Sequence, residues 1–525
     1  FHVPKVSKNA DREFSRLVVD GWEQLAASGV VDQSKEDRYS DQIAKELHVI
    51  KTMGMADYFL LAKYEVIDWC RDNGVVVNCR GSVNGSLVCF LTGITKVDPI
   101  YWGTSFDRFL TLDRKKPPDI DFDVESRYRY MLIDHLRKRF PTLVQIGTYS
   151  GIGITGQEDE DGYGEDTGSV FVQYKAAMRR KLGANYDGGV LKAHREPLNG
   201  LSAAAVRKSM GVHAAGLVLP TEDLPIDAYL ATGLVASSNT TVTQAVMEDV
   251  EMVGYMKLDI LGLRALETIN GALVNAGHKP DTWDWMPWDD KRACGLLSSG
   301  MTDGIFQFEG YATRIGGKEM KVRKTMDAII ALALYRPALM NGGQKDMYLA
   351  NRGEKKANRP YKLHPFFDPR LDVTAGVAVF QEQVMEMCAD LEMPFAVWND
   401  LLTAVKASND KIDQYGQGIM KRTRPIFLDL CAAKGIDKKS ALEAWETILG
   451  FTDYGFNRAH ATSYGLMSYR SAYLKVYYPL EYMQSLLATW AGTKKEVMYM
   501  REARRMGIAI GKADVNASGV VWAID

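Results

Sequence analysis

The pattern of apolar and polar positions divides the chain into a mixed α/β first half and a mainly helical second half. Residues 36–73 place apolar side chains at helical spacing among charged ones and end at Gly74, which predicts helices. The apolar run 75–77 predicts a buried strand that enters a turn containing Gly and Ser. From about residue 265 onward the pattern is helical and mixed in charge. We therefore expect a sheet combined with packed helices.

One short stretch, Pro-Asp-Ile-Asp-Phe-Asp-Val, alternates carboxylates with apolar side chains. Alternate residues of a strand point to one face, so Asp119, Asp121 and Asp123 are expected in a row while the residues between them enter a core. Carboxylates gathered in this way repel one another, which favours one or more bound cations. The stretch is not an EF-hand loop. Counted from Asp119, the sixth position is Val124, where an EF-hand has Gly, and the twelfth is Tyr130, where it has Glu. A strand with a charged solvent face is the ordinary alternative.

A second acidic strand is predicted over residues 255–263. Lys257 and Asp259 share one face of it, while Leu258 and Ile260 take the other. A Lys two residues from a metal-binding Asp can neutralise a phosphate group beside the metal. Taken alone, a Lys and Asp surface pair explains the pattern equally well.

A turn that can bind an anion follows the first predicted strand. Strand, Gly-containing turn and helix together expose backbone N–H groups and a helix dipole, while Arg80 adds a charge and Ser82 and Ser86 add hydroxyl groups. The turn is not a P-loop, because no Lys follows Gly85. A tight bend without a ligand is the alternative.

Basic and aromatic clusters occur further along the chain. Residues 454–464 are dense in donors and aromatic rings, as a surface that contacts a triphosphate and stacks a base requires. Residues 211–219 read as a turn entering a strand, with His213 as a hydrogen-bonded structural residue. A predicted basic helix can contact a phosphate backbone or simply face solvent. Its basic residues are Lys175, Arg179, Arg180 and Lys181.

Composition limits the class of protein without identifying it. The 525 residues are 46% hydrophobic and 25% charged with a net charge of -2, which is typical of a globular protein with several cores. The six cysteines contain no C-x-x-C pair and predict free thiols in a reducing compartment, the cytoplasm. We find no signal peptide and no apolar run of about 18 residues, so no membrane association is predicted. The chain begins with Phe, which suggests a piece of a longer polypeptide.

Six motifs, in order, closely resemble those of the C-family bacterial replicative DNA polymerases, the alpha subunits of DNA polymerase III. The match runs from about residue 40 to about residue 515. The motifs are Arg-Gly-Ser-Val-Asn-Gly-Ser-Leu (80–87), Pro-Asp-Ile-Asp-Phe-Asp (118–123), Gly-Val-His-Ala-Ala-Gly (211–216), Lys-Leu-Asp-Ile-Leu-Gly-Leu (257–263), Gln-Glu-Gln-Val-Met (381–385) and Tyr-Gly-Phe-Asn-Arg-Ala-His (454–460).

The resemblance implies an α/β fold with a palm like that of the polymerase-beta nucleotidyltransferases and a largely α-helical thumb and fingers. The implied domains are the palm at 1–145 and 206–268, the thumb at 146–205, the fingers at 269–500 and the start of a C-terminal region at 501–525.

The resemblance also implies the site residues. Asp119, Asp121 and Asp259 are implied as catalytic ligands of two Mg²⁺ ions, whereas Asp123 lies outside the family's catalytic set. The implied nucleotide-binding residues are Arg80, Gly81, Ser82, Arg108, Lys257, Arg336, Asn457, Arg458 and His460.

The implied function is template-directed DNA synthesis, in which deoxynucleotides are added to a primer 3′-hydroxyl by two-metal phosphoryl transfer. The implied partners are primer–template DNA, dNTPs, a sliding clamp and a proofreading exonuclease. A metal-dependent nuclease is one alternative, since clustered aspartates serve hydrolysis equally well. An inactive DNA-binding scaffold is another, but it predicts loss of an aspartate, and all three are present.

The chain departs from the family pattern in four places. Residues 77–79 read Val-Asn-Cys where relatives commonly carry Gly-Pro-Gly, and residues 158–166 form an acidic insert in the implied thumb. Residues 1–35 are too few for the histidine-rich PHP domain, and no His-x-His occurs. The clamp-binding and OB segments are expected beyond residue 525. Both a phage-encoded polymerase and a shortened chain fit these departures.

Overall fold

A computed structural model describes most of the chain outside the region around residues 153–205. The described residues are 1–113, 117–152, 178, 180–181, 206–283, 285–336, 339–340, 343–353, 363–405, 414–450, 455–512, 518–519 and 521–524. In these ranges the protein is mixed α/β, as predicted, with helices more extensive than strands.

Seven strands form one mixed sheet. They are β1 (Val77–Arg80), β2 (Asp121–Val124), β3 (Val144–Ile152), β4 (Val206–Leu219), β5 (Thr232–Val235), β6 (Thr240–Thr243) and β7 (Met256–Gly262). The order in the sheet is β1-β2-β7-β4-β3-β6-β5. Strands β1 and β2 are antiparallel and place Arg80 opposite Asp121 and Asn78 opposite Asp123. This register brings polar side chains of both strands together.

Helices account for most of the remaining described chain. Before β3 they are α1 (Ala10–Ala27), α2 (Glu36–Thr52), α3 (Ala56–Leu61), α4 (Trp69–Asp72), α5 (Leu87–Leu91), α6 (Pro99–Trp102) and α7 (Arg129–Arg139). Between β4 and residue 320 they are α8 (Ile226–Tyr229), α9 (Met247–Val253), α10 (Arg264–Asn275), α11 (Lys291–Ser299) and α12 (Tyr311–Met320). From there to residue 405 they are α13 (Thr325–Leu334), α14 (Gln344–Asn351), α15 (Asp368–Leu371), α16 (Gln381–Asp390) and α17 (Phe395–Val405). The last helices are α18 (Gln414–Ala433), α19 (Lys438–Gly450), α20 (Arg458–Tyr477), α21 (Pro479–Trp490) and α22 (Glu496–Arg505).

The chain divides into two structural units. The first consists of residues 1–4 and 136–260, and the second of residues 5–135 and 261–525. The first unit packs a small core between β3, β4 and helices α8 and α9, which includes Ile146, Val218, Ile226 and Val250. Apolar alternation explains this core, because every second residue of a strand points to the same face.

The second unit is built around helix α20, which is buried along most of its length. Helices α10, α11, α13 and α21 contribute apolar side chains to the same core. Lys475 of α20 forms a buried ion pair with Glu502 of α22, with 2.5 Å between Nζ and Oε1, and donates to the carbonyl of Asp303. A second core lies between residues 363 and 448 and includes Phe367, Phe427 and Trp445.

Two local predictions are wrong in detail. Strand β1 begins at Val77, so residues 75 and 76 precede it. Residues 211–216 lie inside the continuous strand β4, where a turn was predicted. Gly211 and Val212 pair with β3 and Gly216 pairs with β7, while the register with β3 shifts between Val212 and Leu217. The interpretation of His213 as structural is confirmed, since Nδ1 accepts from the backbone N–H of Gly216 at 2.7 Å.

The prediction of free thiols agrees with the structure. All six cysteines are buried and unpaired. In the part of the chain that the structure describes, no helix has the length and apolar character needed to cross a membrane.

Candidate active site

Three aspartates form an acidic cluster at the predicted strands. Asp119 lies two residues before β2 begins, Asp121 is the first residue of β2, and Asp259 lies in β7. One carboxylate oxygen from each lies within 4.8 Å of the others. Oδ2 of Asp259 accepts from Lys257 Nζ at 2.5 Å, whereas its buried Oδ1 has no hydrogen-bond partner among the described residues. Carboxylate oxygens at this spacing suit a hard divalent cation, so the predicted triad fits a metal site.

A glycine of β4 makes room for the carboxylate of Asp259. Gly216 is the register partner of Asp259. A Cβ atom at this position would lie 3.3 Å from Asp259 Oδ1 and 2.8 Å from Ile146 Cδ1. The close approach explains why Gly, not a larger residue, occupies the position.

The third carboxylate of the acidic strand has a different environment. Asp123 was expected in the same row as Asp119 and Asp121, but its side chain is completely buried. It accepts from Arg80 Nη1 at 2.5 Å and from Tyr464 Oη at 3.0 Å. Burial raises the pKa of Asp123, and its contacts with Arg80 and Tyr464 oppose that rise. Asp123 therefore links the strand to helix α20 and is not part of the acidic cluster.

Arg80 holds the acidic strand from the neighbouring strand β1. Its guanidinium lies 3.0 Å from Asp121 Oδ1 as well as 2.5 Å from Asp123. Burial opposes the charged form, but Asp123 and Asp121 together raise the pKa of Arg80. Arg80 thus forms ion pairs with Asp121 and Asp123 in this structure, whereas a contact with a nucleotide was expected from the sequence.

The turn after Arg80 needs a glycine at its first position. Gly81 has φ 82° and ψ -158°, and a Cβ atom there would lie 3.2 Å from Asp121 Oδ2. Ser82 begins a 3₁₀ turn and is half-buried. Ser86 does not provide the expected phosphate contact, because its hydroxyl is buried and donates to Glu46 Oε2 at 2.8 Å.

Three guanidinium groups of the second unit have no carboxylate partner. Arg108 Nε donates to Gln381 Oε1 at 2.9 Å, and Arg336 lies 3.8 Å from the centroid of the Phe456 ring. Arg458 is 8% exposed, and its Nε has no hydrogen-bond partner among the described residues. No described carboxylate oxygen lies within 4.0 Å of the three groups. Burial lowers the pKa of Arg336 and of Arg458, and the charges of Glu386 and Glu382 oppose this shift at Arg458. Arg458 is buried, whereas Arg108 is half-buried and Arg336 is exposed. A buried cation without a salt bridge is costly, so Arg458 in particular favours an anionic ligand.

Helix α20 is positioned by side chains whose role the sequence did not reveal. Glu382 is buried and accepts from the backbone N–H of Arg458 at 2.9 and 2.8 Å, and Asn457 Oδ1 accepts from the N–H of His460 at 2.8 Å. Asn457 was expected at the nucleotide, but its side-chain oxygen instead caps the helix. The only signal for Glu382 was an acidic residue in the motif 381–385.

A serine of α20 fixes the same helix to β1. Ser463 Oγ donates to the carbonyl of Cys79 at 2.7 Å, and Asn78 Nδ2 donates to Ser463 Oγ at 2.9 Å. Asn78 and Cys79 belong to strand β1. The Asn therefore gives this chain a hydrogen bond between strand and helix.

His460 lies in an environment that keeps it neutral. Its ring lies 5.3 Å from that of Phe456 and 4.5 Å from that of Tyr464. Burial, together with the charges of Arg336 and Arg80, lowers the pKa of His460 to about 4. Near neutral pH the ring can donate one hydrogen bond without adding charge.

We expect His460 to make the folded chain sensitive to mild acid. The unfolded His takes up a proton below about pH 6.5 and the folded one only near pH 4, so stability falls by about 3 kcal/mol as pH falls between these values. Urea unfolding at several pH values measures this slope. The variant His460→Gln should lose it, and an identical slope in both proteins would contradict the assignment.

We expect the hydroxyl of Tyr464 to stabilise the buried carboxylate of Asp123. Burial and the proximity of Asp123 raise the pKa of Tyr464, so it remains a donor. Tyr464→Phe should lower the free energy of unfolding by about 1–3 kcal/mol. Tyr473→Phe on the same helix is the control, because no described residue accepts from its hydroxyl. Equal urea midpoints for the two variants would count against the role of Tyr464.

The predicted DNA-binding helix is only partly within the described residues. Lys175 and Arg179 lie outside them, and Arg180 and Lys181 are helical and exposed. Their contact with a phosphate backbone stays a prediction.

Comparison with known families places two models on the chain. The bacterial DNA polymerase III alpha NTPase domain matches residues 12–154 and 199–262. The bacterial DNA polymerase III alpha subunit finger domain matches residues 264–396. The two models together include Asp119, Asp121 and Asp259, and also Arg80 and Arg336.

Curated relatives match along nearly the whole chain. The DNA polymerase III subunit alpha of Thermus aquaticus is 31% identical over 507 residues, which are 90% of this chain and 40% of the relative. The protein of the same name from Staphylococcus aureus strain Mu50 is 30% identical over 512 residues, which are 92% of this chain and 46% of the relative. The chain thus spans less than half the length of these relatives.

Proposed function

We infer that this chain, which belongs to the bacterial DNA polymerase III alpha family, is a DNA-directed DNA polymerase. The proposed reaction transfers a deoxynucleotide from a dNTP to the 3′-hydroxyl of a primer, with the choice of base directed by a template. DNA replication is the proposed process. The palm, thumb and fingers boundaries, a clamp, a proofreading exonuclease and a cytoplasmic location stay predictions.

One observation carries the proposal: an acidic cluster that fits divalent cations occurs together with Arg458, a buried cation that forms no salt bridge with any described residue. The reaction requires both. Its metals need oxygen ligands, and its triphosphate brings negative charge that must be neutralised in a site of low dielectric constant. Tyr464 of the cation-bearing helix bonds Asp123 of the acidic strand, which supports a single site.

We propose that Asp119, Asp121 and Asp259 hold two Mg²⁺ ions. Bound there, such ions lower the pKa of an attacking hydroxyl and stabilise charge on the transferring phosphoryl group. Arg80 holds Asp121 in place, and Lys257 compensates the charge of Asp259.

The guanidinium groups of Arg336 and Arg458 are proposed to bind the triphosphate and to offset the charge that develops on pyrophosphate. The neutral ring of His460 and the ring of Phe456 form a surface against which sugar and base can pack. Base choice is proposed to depend on the shape of the nascent base pair.

A primer-extension assay separates the proposal from its two alternatives. A 5′-labelled primer on a longer template is incubated with the chain, dNTPs and Mg²⁺. Template-dependent elongation supports the polymerase, and shortening of the primer supports the metal-dependent nuclease. Binding without any change in length supports the inactive scaffold.

A further inference from the structure

A cleft of about 950 Å³ lies within the second unit. We call it the α12 cleft, because it includes the start of helix α12 at Gly310 and Tyr311. Phe306 lines it, and the ring of Phe306 meets the ring of Tyr464 edge-on with 5.0 Å between their centroids. Since Tyr464 bonds Asp123, one pair of aromatic rings connects the cleft wall to the acidic strand.

The start of helix α12 offers free hydrogen-bond donors to the cleft. Gly310 provides no side-chain cap, and the first turn contains no acidic residue. The backbone N–H groups of Tyr311, Ala312 and Thr313 have no partner in the described ranges. Ser471 also lines the cleft, is 1% exposed, and has a hydroxyl group without a hydrogen-bond partner among the same residues. Such donors at a helix N-terminus bind an anion.

The charged and aromatic lining has one unpaired cation and one free ring. Arg264 lies 5.0 Å from the ring centroid of Trp490 and has no carboxylate within 4.0 Å in the described chain. Lys495 lies over the same ring, but its charge is compensated by Glu309 at 2.6 Å. Tyr311 is 82% exposed, and no described ring or cation packs against it. Trp490 is thus covered by cations, whereas Tyr311 has a free face.

We propose that the α12 cleft binds the single-stranded template beside the nascent base pair. An unpaired nucleotide presents an aromatic face for Tyr311 and a phosphate for the α12 N–H groups and Arg264. A duplex does not fit this chemistry, because its bases are already stacked on each other. The inference rests on the proposed polymerase function and adds a place for the strand that is copied.

The test compares two DNA ligands with the whole chain and without dNTPs. One is a primer–template with a 5′ template overhang of about six nucleotides, and the other is the same duplex with a blunt end. Fluorescence anisotropy gives both dissociation constants for the wild type, Tyr311→Ala and Tyr311→Asp. Because Tyr311 is so exposed, neither change should disturb folding, and Asp is favourable at the first position of a helix. Tyr229→Ala, 59% exposed in the first unit, is the matched control.

The proposal predicts that the wild type prefers the overhang ligand by about 5- to 50-fold, which is the size of one or two stacked bases. Tyr311→Ala should lose most of this preference and Tyr311→Asp all of it, with blunt-end affinity unchanged, while Tyr229→Ala behaves as the wild type. Equal preference in the wild type and Tyr311→Ala would overturn the proposal. Competition by a free deoxynucleoside monophosphate as effective as that of the strand would also overturn it.

The two proposals fail in different ways. If the polymerase function is wrong, the wild type does not extend a primer, whatever its preference for an overhang. If only the cleft inference is wrong, the wild type and Tyr311→Ala both extend primers and show the same preference.

Discussion

Replacing Asp121 by Asn is expected to reduce primer extension by at least about 1,000-fold, because a charged metal ligand at the reacting phosphate is worth several kcal/mol. The fold should persist, since Asn keeps the shape of the side chain and Arg80 retains its contact with Asp123. Single-turnover extension of a labelled primer measures the rate.

The control is Asp429→Asn, an exposed Asp on α18, which should extend primers at the wild-type rate. A rate for Asp121→Asn within about tenfold of the wild type would contradict the role given to the acidic cluster, because a factor of ten corresponds to only 1.4 kcal/mol.

Replacing Arg458 by Met is expected to lower kcat/KM for the incoming dNTP by about 100-fold, as when one charge-stabilising donor is removed from an active site. The free energy of unfolding should change little, because the cost of burying a guanidinium is removed together with its attraction to Glu386 and Glu382. Steady-state insertion kinetics and urea unfolding measure the two quantities.

Arg470→Met is the matched control on the same helix. Arg470 is also buried, but it packs on the rings of Trp283 and Trp288. Its loss should lower stability by about 1–2 kcal/mol and leave kcat/KM within about twofold. If Arg458→Met instead destabilises the chain without affecting dNTP use, Arg458 is a structural residue.

The acidic strand and the Lys257–Asp259 strand could be predicted from sequence because both depend on local alternation. Apolar residues at every second position determine which face enters the core, and the remaining carboxylates then point together. Asp121 and Asp259 lie in these strands and belong to the acidic cluster with Asp119, and their role as catalytic ligands stays a prediction.

Partners distant in sequence could not be predicted from the alternation. The same rule grouped Asp123 with Asp119 and Asp121, but Tyr464, 341 positions away, covers it together with Arg80. Only the packing of α20 on the strand determines which carboxylate is buried. Sequence patterns carry no information on that packing.

The roles of polar residues in and beside helices were also not predicted from the sequence. In the sequence Glu382 is one charged residue among several. In the structure its carboxylate accepts from the backbone N–H of Arg458, 76 positions later, and so caps helix α20. Asn457 had a local signal for its capping role, since Asn is favoured at the first cap position of a helix, and its contact with a nucleotide stays a prediction. Residues 211–216 show the converse error, because two glycines suggested a turn where strand β4 continues, with its register to β3 shifted between Val212 and Leu217.

The most direct test of the central claim is insertion of a single nucleotide opposite each of the four templating bases. The wild-type chain is given one dNTP at a time with Mg²⁺, and both the extended primer and the released pyrophosphate are measured. Template-directed synthesis predicts that the complementary nucleotide is inserted preferentially on every template, with one pyrophosphate released for each primer extended. Insertion that ignores the templating base, or a primer that becomes shorter without release of pyrophosphate, would contradict it.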